Sequence, residues 1–186
     1  MFNSRCSIIR SFFIYCLLTL AVFTSIRGGA SPREDAIKSG FIYNFARYSQ
    51  GKWFNETTNK NYYICSFNAQ FIASANHTLK ARKIKNLPVI MSLLSSQFDN
   101  ISHCNTLFMT KDDVDKWSYL VKQVPLTSIM LVGEFDDFIA TGGHINFFIV
   151  GGKVRFEVNP DKLKQSGILM SSKVLRLGRT NKANSQ

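Results

Sequence analysis

Residues that usually carry chemistry are scarce in this sequence. Its 186 residues include three histidines and 12 acidic residues, against 23 basic ones. His77, His103 and His144 have no metal-ligand spacing relative to one another or to a carboxylate, and neither an H-x-x-x-H nor a C-x-x-C pair occurs. The pattern predicts structural or solvated histidines, and it predicts no metal and no cofactor.

Catalytic motifs are missing as well. Residues 171–173 (SSK) lack the S-x-x-K spacing of serine–lysine enzymes, because Met170 stands where the serine would be needed. The glycine pairs at 142–143 and 151–152 lack the pattern of a phosphate-binding loop and are expected in turns. With no nucleophile beside a base, we expect that the protein is not an enzyme.

The one long apolar run lies near the N terminus. Arg5 and Arg10 precede an uncharged stretch at 11–26 with an apolar centre, and small residues follow at 28–30. This order is typical of a secretory signal peptide. A membrane-spanning helix needs about twenty apolar residues, which disfavours the alternative of an uncleaved anchor. The sequence therefore predicts a signal peptide over residues 1–30, export to the periplasm and cleavage after Ala30.

Four cysteines are present, and two of them, Cys6 and Cys16, lie in the predicted signal peptide. In an oxidising compartment the remaining pair, Cys65 and Cys104, predicts one disulfide, whereas in a reducing cytosol it would indicate buried free thiols. Closing a loop of about forty residues would stabilise the fold by roughly 4 kcal/mol in the chain-entropy model. A redox switch is the alternative role, although no C-x-x-C spacing supports it.

The mature chain begins with a predicted helix over residues 32–48. Ser31 can cap this helix, Pro32 suits its first turn, and the two acidic residues that follow favour its positive end. Apolar side chains at helical spacing define one face: Ile37, Phe41, Phe45 and Tyr48. Such a face predicts core packing, with partner binding as the alternative.

Segments typical of strands and helices then alternate. The predicted strands cover residues 62–67, 88–93, 105–110 and 127–132, and the predicted helices cover 70–79 and 112–124. Alternation of this kind favours a largely parallel sheet. A strand order of 2-1-3-4 would make the first and third strands neighbours and would let Cys65 and Cys104 meet.

The C-terminal part has a different pattern. Two β-rich runs at 145–150 and 153–158 are separated by two glycines, which predicts a β-hairpin. Helices are expected to begin at Pro160 and to cover residues 171–179, and residues 181–186 are predicted to be a disordered tail. The predicted architecture is a single α/β domain over residues 31–180, with a mostly parallel sheet flanked by helices and a C-terminal β-hairpin.

The formal net charge of +11 raises the question of an acidic partner. Residues 31–186 contain 20 of the basic residues and all 12 acidic ones, so they also are basic. No nucleic acid is expected, because the chain is predicted to be secreted and its aromatic residues are not interleaved with basic ones. A basic surface near the C terminus could instead be formed by Arg155, Lys173, Arg176 and Arg179. The alternative is an ordinary solvated face, with an ion pair of Arg155 and Glu157.

Four segments match signature motifs of a known family. The early-helix motif Y-N-F-A-[KR]-[FY] is matched by residues 43–48, and G-G-x-I-N-F is matched by residues 142–147. G-K-V-R-F-E-[IV]-N is matched at 152–159, and S-G-[LI]-x-[IM]-S-S-K-[LV]-L-R-L at 166–177. Together with the positions of the two mature cysteines, these motifs make the sequence resemble the YfiR family of periplasmic regulators of membrane diguanylate cyclases.

The resemblance implies a secreted α/β fold, often dimeric, that binds the periplasmic part of an inner-membrane signalling protein and holds it inactive. Two features depart from the family pattern: Trp53 is followed by Phe54 where a W-P pair is common, and a second cysteine pair is missing.

An interaction protein is therefore the leading hypothesis. The candidate partner-binding residues are Phe41, Tyr43, Arg155, Arg176 and Arg179. The alternative is a periplasmic small-ligand binding module, with its pocket at the carboxyl ends of the strands.

Overall fold

The computed structural model describes residues 30–95, 101–123 and 126–180. The predicted signal peptide, apart from Ala30, and the predicted tail at 181–186 lie outside these residues. Contacts group the chain from Ser31 onward into one compact unit. Among the described residues, none of the helices combines the length and the apolar character that crossing a membrane requires.

Helices and strands alternate along the described chain. The helices are α1 (Pro32–Arg47), α2 (Ala69–Thr78), α3 (Val114–Gln123), α4 (Pro160–Gln165) and α5 (Ser172–Leu175). The strands are β1 (Ser49–Gly51), β2 (Tyr62–Ser66), β3 (Lys83–Ile84), β4 (Leu87–Leu93), β5 (Thr106–Met109), β6 (Met130–Gly133), β7 (Ile145–Val150), β8 (Lys153–Val158), β9 (Ile168–Met170) and β10 (Arg179–Thr180). Short 3-10 helices cover Ile101–His103 and Lys111–Asp113.

The main sheet has eight strands in the order β10-β8-β7-β6-β5-β2-β4-β3. Its five central strands, β7, β6, β5, β2 and β4, run parallel, whereas β8 is antiparallel to β7 and β3 is antiparallel to β4. The segment β4-β2-β5-β6 has the predicted 2-1-3-4 order. The predicted fold class and strand order are therefore confirmed, and β1 pairs separately with β9.

The central strands separate two apolar cores. Phe108 of β5 packs with residues of α1 and α2 on one face, while Leu107 and Met109 pack with Trp117 of α3 on the other. Successive residues of a strand point to opposite faces, so a run of apolar residues can fill both cores. The result is a three-layer arrangement with helices on both sides of the sheet.

Helix α1 has the predicted N-cap, since the Ser31 hydroxyl accepts a hydrogen bond from the Glu34 amide at 3.2 Å. The predicted apolar face is wrong in part. Phe45 is buried, but the side chains of Ile37 and Tyr48 are 43% and 46% exposed. The face that packs is turned around the helix axis and holds these buried residues: Asp35, Lys38, Ser39, Ile42, Phe45 and Ala46. Polar residues can occupy it because each has a partner: Ser39 donates a hydrogen bond to the Ala36 carbonyl of the same helix, Asp35 accepts one from Gln70 of α2, and Lys38 contacts two carboxylates.

The C-terminal hairpin and the helix predicted to begin at Pro160 are confirmed, whereas the helix predicted over 171–179 is largely wrong. Strands β7 and β8 pair from Ile145↔Val158 to Val150↔Lys153, and Gly151 and Gly152 have φ angles of 56° and 70°. Both angles suit the tight two-residue turn that joins right-twisted strands. The helix predicted over 171–179 is reduced to α5, because the chain then enters β10 beside β8. At Gly178 the approach is so close that a Cβ atom would stand 2.3 Å from the Phe156 ring.

Candidate functional site

An open groove of about 740 Å³ lies between the first half of α1 and the tip of the β7–β8 hairpin. Helix α1 contributes Arg33, Ile37 and Phe41 to its lining, and the hairpin contributes Ile149 and residues 152–155. We call this feature the groove. Its two walls come from segments more than a hundred positions apart in the sequence.

The floor of the groove is apolar and rests on a cluster of phenylalanine rings. The Phe41 ring lies 5.6 Å from the Phe156 ring and 6.0 Å from the Phe147 ring, measured between centroids. Beneath it, the buried Phe45 ring contacts Phe156 edge to face at 4.8 Å. Aromatic pairs at these separations favour defined geometries, so the cluster holds α1 on the hairpin, while Phe41 itself is only partly buried.

The rim of the groove is positively charged. Arg33, Lys153 and Arg155 are exposed, and the salt bridges among the described residues involve none of them. The one acidic residue in the lining, Glu34, is paired with Lys38. Three uncompensated cations around an apolar floor create a field that attracts anionic groups.

Two of the five candidate partner-binding residues, Phe41 and Arg155, meet in the groove. Tyr43 lies elsewhere, because its hydroxyl donates a hydrogen bond to the Lys83 carbonyl at 3.1 Å. Arg179 is outside the lining and forms an ion pair with Glu157 at 2.8 Å. Arg176, the C-cap of α5, is exposed and also does not line the groove.

Sequence reasoning missed Arg33, Lys153 and Ile149 as residues of a common surface. One signal was available: Ile149 stands just before the turn of a hairpin, where an apolar side chain is hard to bury. Half of its surface is exposed in the structure. The contribution of α1 had no comparable local signal.

A buried ion cluster fixes the α1 side of the groove. The Lys38 ammonium, with 3% of its side chain exposed, contacts the carboxylates of both Glu34 and Glu134. Burial by itself lowers the pKa of Lys38, but hydrogen bonds to the two carboxylates outweigh burial and raise the pKa above its usual value. Glu134 follows β6 and accepts a hydrogen bond from the Lys111 amide at 3.3 Å. The cluster thereby ties α1 to the carboxyl ends of the central strands.

His144 and Ser166 form a contact that resembles a base beside a nucleophile. The His144 Nε2 and Ser166 Oγ atoms are 2.9 Å apart, while His144 Nδ1 accepts a hydrogen bond from the Leu131 amide at 3.0 Å. This amide places the imidazole proton on Nε2, so the ring donates to Ser166 and cannot take its proton. Burial, with a further contribution from Lys162, lowers the pKa of His144 to about 4. The contact is structural and does not activate Ser166.

The same contact lines a smaller pocket of about 300 Å³. Trp117 and Leu131 provide apolar walls, and Lys162 provides a positive charge. Because Leu131 is near the start of β6 and His144 precedes β7, this pocket lies at the amino ends of the parallel strands.

The predicted pairing of Cys65 with Cys104 is present as a disulfide, with the two Cα atoms 5.8 Å apart. Cys65 lies on β2, and Cys104 precedes the neighbouring strand β5, which explains how residues 39 positions apart meet. His103 stands beside the bond, with its Nε2 atom 3.7 Å from Cys65 Sγ and 3.1 Å from Ser92 Oγ. Because the bond links β2 to the segment that leads into the neighbouring strand, its position indicates a structural role.

The fold and site together define a disulfide-linked α/β domain with a cation-rimmed apolar groove. A protein-family model described as YfiR/HmsC-like matches residues 35–179. The chain belongs to this YfiR/HmsC-like family. The matched region runs from the first turn of α1 to the start of β10 and includes both cysteines of the disulfide.

Proposed function

We propose that this chain is a periplasmic regulatory protein that binds the periplasmic part of an inner-membrane diguanylate cyclase, or a related membrane signalling protein, and represses it. The observation that carries the proposal is the family match over residues 35–179, which covers the hairpin and α1 from Asp35 onward. A signal peptide over residues 1–30 would deliver the chain to that compartment, where the Cys65–Cys104 disulfide would be stable.

The proposed contact surface is the groove. Exposed apolar atoms of Phe41 and Ile149 offer a place for an apolar anchor of the partner, and Arg155 with its neighbouring cations offers partners for carboxylates. We therefore assign as occupant a segment of the membrane protein that carries acidic side chains beside an apolar residue. Apolar anchors supply most of the binding energy in such interfaces, whereas rim charges set the association rate and the dependence on salt.

Repression requires that binding differs between two states of the partner. A protein that binds active and inactive cyclase equally well would leave the equilibrium unchanged. Moving a cyclase from 99% active to 99% inactive requires a roughly 10⁴-fold preference for the inactive state. The groove must therefore fit a conformation of the partner's periplasmic segment that exists mainly when the cyclase is off.

Charge reversal in the groove tests the contact surface. We expect that Lys153→Glu/Arg155→Glu reduces the amount of cyclase recovered from solubilised membranes by more than about tenfold, because like charges then face the acidic segment. Lys80→Glu/Lys122→Glu is the matched control, since both lysines are exposed and lie outside the groove lining. Wild-type recovery should fall as salt is raised. Equal recovery with both double variants would place the contact elsewhere, and recovery of no membrane protein at any salt concentration would contradict the proposal.

A small-ligand binding module is the second candidate function, and the 300 Å³ pocket beside His144 favours it. The carboxyl ends of the strands were the expected location, but this pocket lies at their amino ends. Its apolar walls and Lys162 suit a small molecule with an apolar part and an anionic group. Native mass spectrometry of protein purified from the periplasm should show an added mass that Lys162→Glu removes. Unliganded protein alone would leave the regulator as the remaining candidate.

A further inference from the structure

Three side chains with metal-binding atoms meet at one end of β2. The sulfur atoms of Cys65 and Cys104 and a ring nitrogen of His103 all lie within 4.8 Å of one another. Both cysteines are buried, whereas His103 is partly exposed and can be reached by solvent. The groove does not include these residues, so they are separate from the proposed partner-binding surface.

The spacing of these atoms fits tetrahedral coordination once the disulfide is open. With Zn–S bonds of about 2.3 Å and Zn–N bonds of about 2.0–2.1 Å, a tetrahedron separates sulfur and nitrogen ligands by roughly 3.6 Å. His103 Nε2 is 3.7 Å from Cys65 Sγ. Once the disulfide is reduced, two sulfur atoms in van der Waals contact have roughly the same separation as two thiolate ligands around zinc. His103 is therefore already at ligand spacing from Cys65. Coordination further requires that the two sulfur atoms move apart and that the Cys104 sulfur, within 4.8 Å of a His103 ring nitrogen, reach the same spacing.

The neighbours of His103 hold its ring in this position. Ser92 Oγ lies 3.1 Å from His103 Nε2, and the Tyr63 ring packs against the imidazole edge to face at 5.1 Å. A metal ion would take the place of the Ser92 hydroxyl at Nε2. The exposed side of His103 leaves a fourth coordination position for water, as in open zinc sites with three protein ligands.

We propose that the reduced chain binds one soft divalent cation of the zinc class through Cys65, His103 and Cys104. Reduction by a dithiol transfers two electrons and two protons to the cysteine sulfurs and converts the dithiol into its own disulfide. On coordination the two thiols lose their protons to solvent, and the neutral imidazole donates its lone pair at Nε2. The disulfide and the metal site are thus two exclusive states of the same residues.

Cobalt titration of the exported protein tests this assignment, because tetrahedral cobalt with thiolate ligands has characteristic visible and near-ultraviolet absorption. After reduction with a phosphine and removal of the excess, wild type should bind one Co²⁺ per chain with this spectrum, and Zn²⁺ should displace it. The oxidised protein should show none. His103→Ala should weaken the affinity for Co²⁺ by more than about tenfold. Removing a residue that only hydrogen-bonds a metal ligand already costs about tenfold, and the loss of a ligand itself should cost more. His77→Ala, an exposed histidine in α2, is the matched control and should bind as wild type does.

If reduction unfolds the chain, circular dichroism can measure whether metal binding refolds it. Zn²⁺ should then restore the folded signal of reduced wild type, and restoration by His103→Ala should need more than about tenfold higher Zn²⁺. Absence of thiolate–cobalt absorption in reduced wild type would overturn the proposal. So would equal affinities of wild type and His103→Ala, or failure of Zn²⁺ to refold a reduced chain that has unfolded.

Discussion

His144 shows how one buried residue can couple stability to pH. Its pKa is about 4 in the folded chain, against 6.5 for an unperturbed histidine, because burial disfavours the charged ring. Between these two values the unfolded chain binds a proton that the folded chain does not. Stability contributed by neutral His144 is therefore present above pH 6.5 and is lost as the pH falls toward 4.

The expected loss is about 3 kcal/mol, since each unit of pKa shift corresponds to about 1.4 kcal/mol. Urea unfolding at about pH 7 and about pH 4 measures it. His144→Asn keeps an acceptor for the Leu131 amide but cannot be protonated, so its free energy of unfolding should fall by about 3 kcal/mol less over the same interval. His77→Asn, the same change at an exposed histidine of α2, is the matched control. Identical pH dependence in wild type and His144→Asn would refute the assignment.

At the scale of elements, the phenylalanine cluster holds α1 and the hairpin together. Two of its rings, Phe45 and Phe41, differ in burial. Phe45 is 1% exposed and lies in the core, whereas Phe41 is partly buried and lines the groove. Stability and partner binding should therefore respond to different rings.

Two alanine variants separate the effect on stability from the effect on partner binding. Phe45→Ala should lower the free energy of unfolding by about 3–5 kcal/mol, because it leaves a cavity in the core. Phe41→Ala should lower it by about 1–2 kcal/mol, since part of that ring already contacts solvent, and should raise the rate of dissociation from the membrane partner. Chemical denaturation and binding kinetics give the two quantities. A Phe41→Ala variant with wild-type dissociation would remove Phe41 from the interface.

The same elements show what the sequence could predict. The hairpin and the parallel strands were predictable because alternation and turn glycines act over a few neighbouring residues. The buried face of α1 was not, because Lys38 looks like a solvent-exposed residue until Glu134, 96 positions away, supplies its partner. The groove could not be predicted from local sequence patterns for the same reason, since Arg33 and Lys153 line a common surface only when α1 docks on the hairpin.

At the scale of the whole molecule, basic character and shape act together. The sequence after residue 30 carries 20 basic and 12 acidic residues. Three of those basic residues surround the groove, which is the surface that we assign to a partner. A general positive charge accelerates encounter with an acidic partner, and the local arrangement selects where that partner docks. The YfiR/HmsC-like membership supports the proposed class of partner, a membrane signalling protein.

The level of cyclic-di-GMP in cells that lack this protein tests the account most directly. If the chain represses a membrane diguanylate cyclase, deletion should raise the level while the gene for that cyclase is intact and should leave it unchanged when that gene is also deleted. Restoring wild type or Lys80→Glu/Lys122→Glu should return the level to normal, whereas Lys153→Glu/Arg155→Glu, exported in equal amount, should leave it high. An unchanged level after deletion, with the cyclase present, would contradict the account.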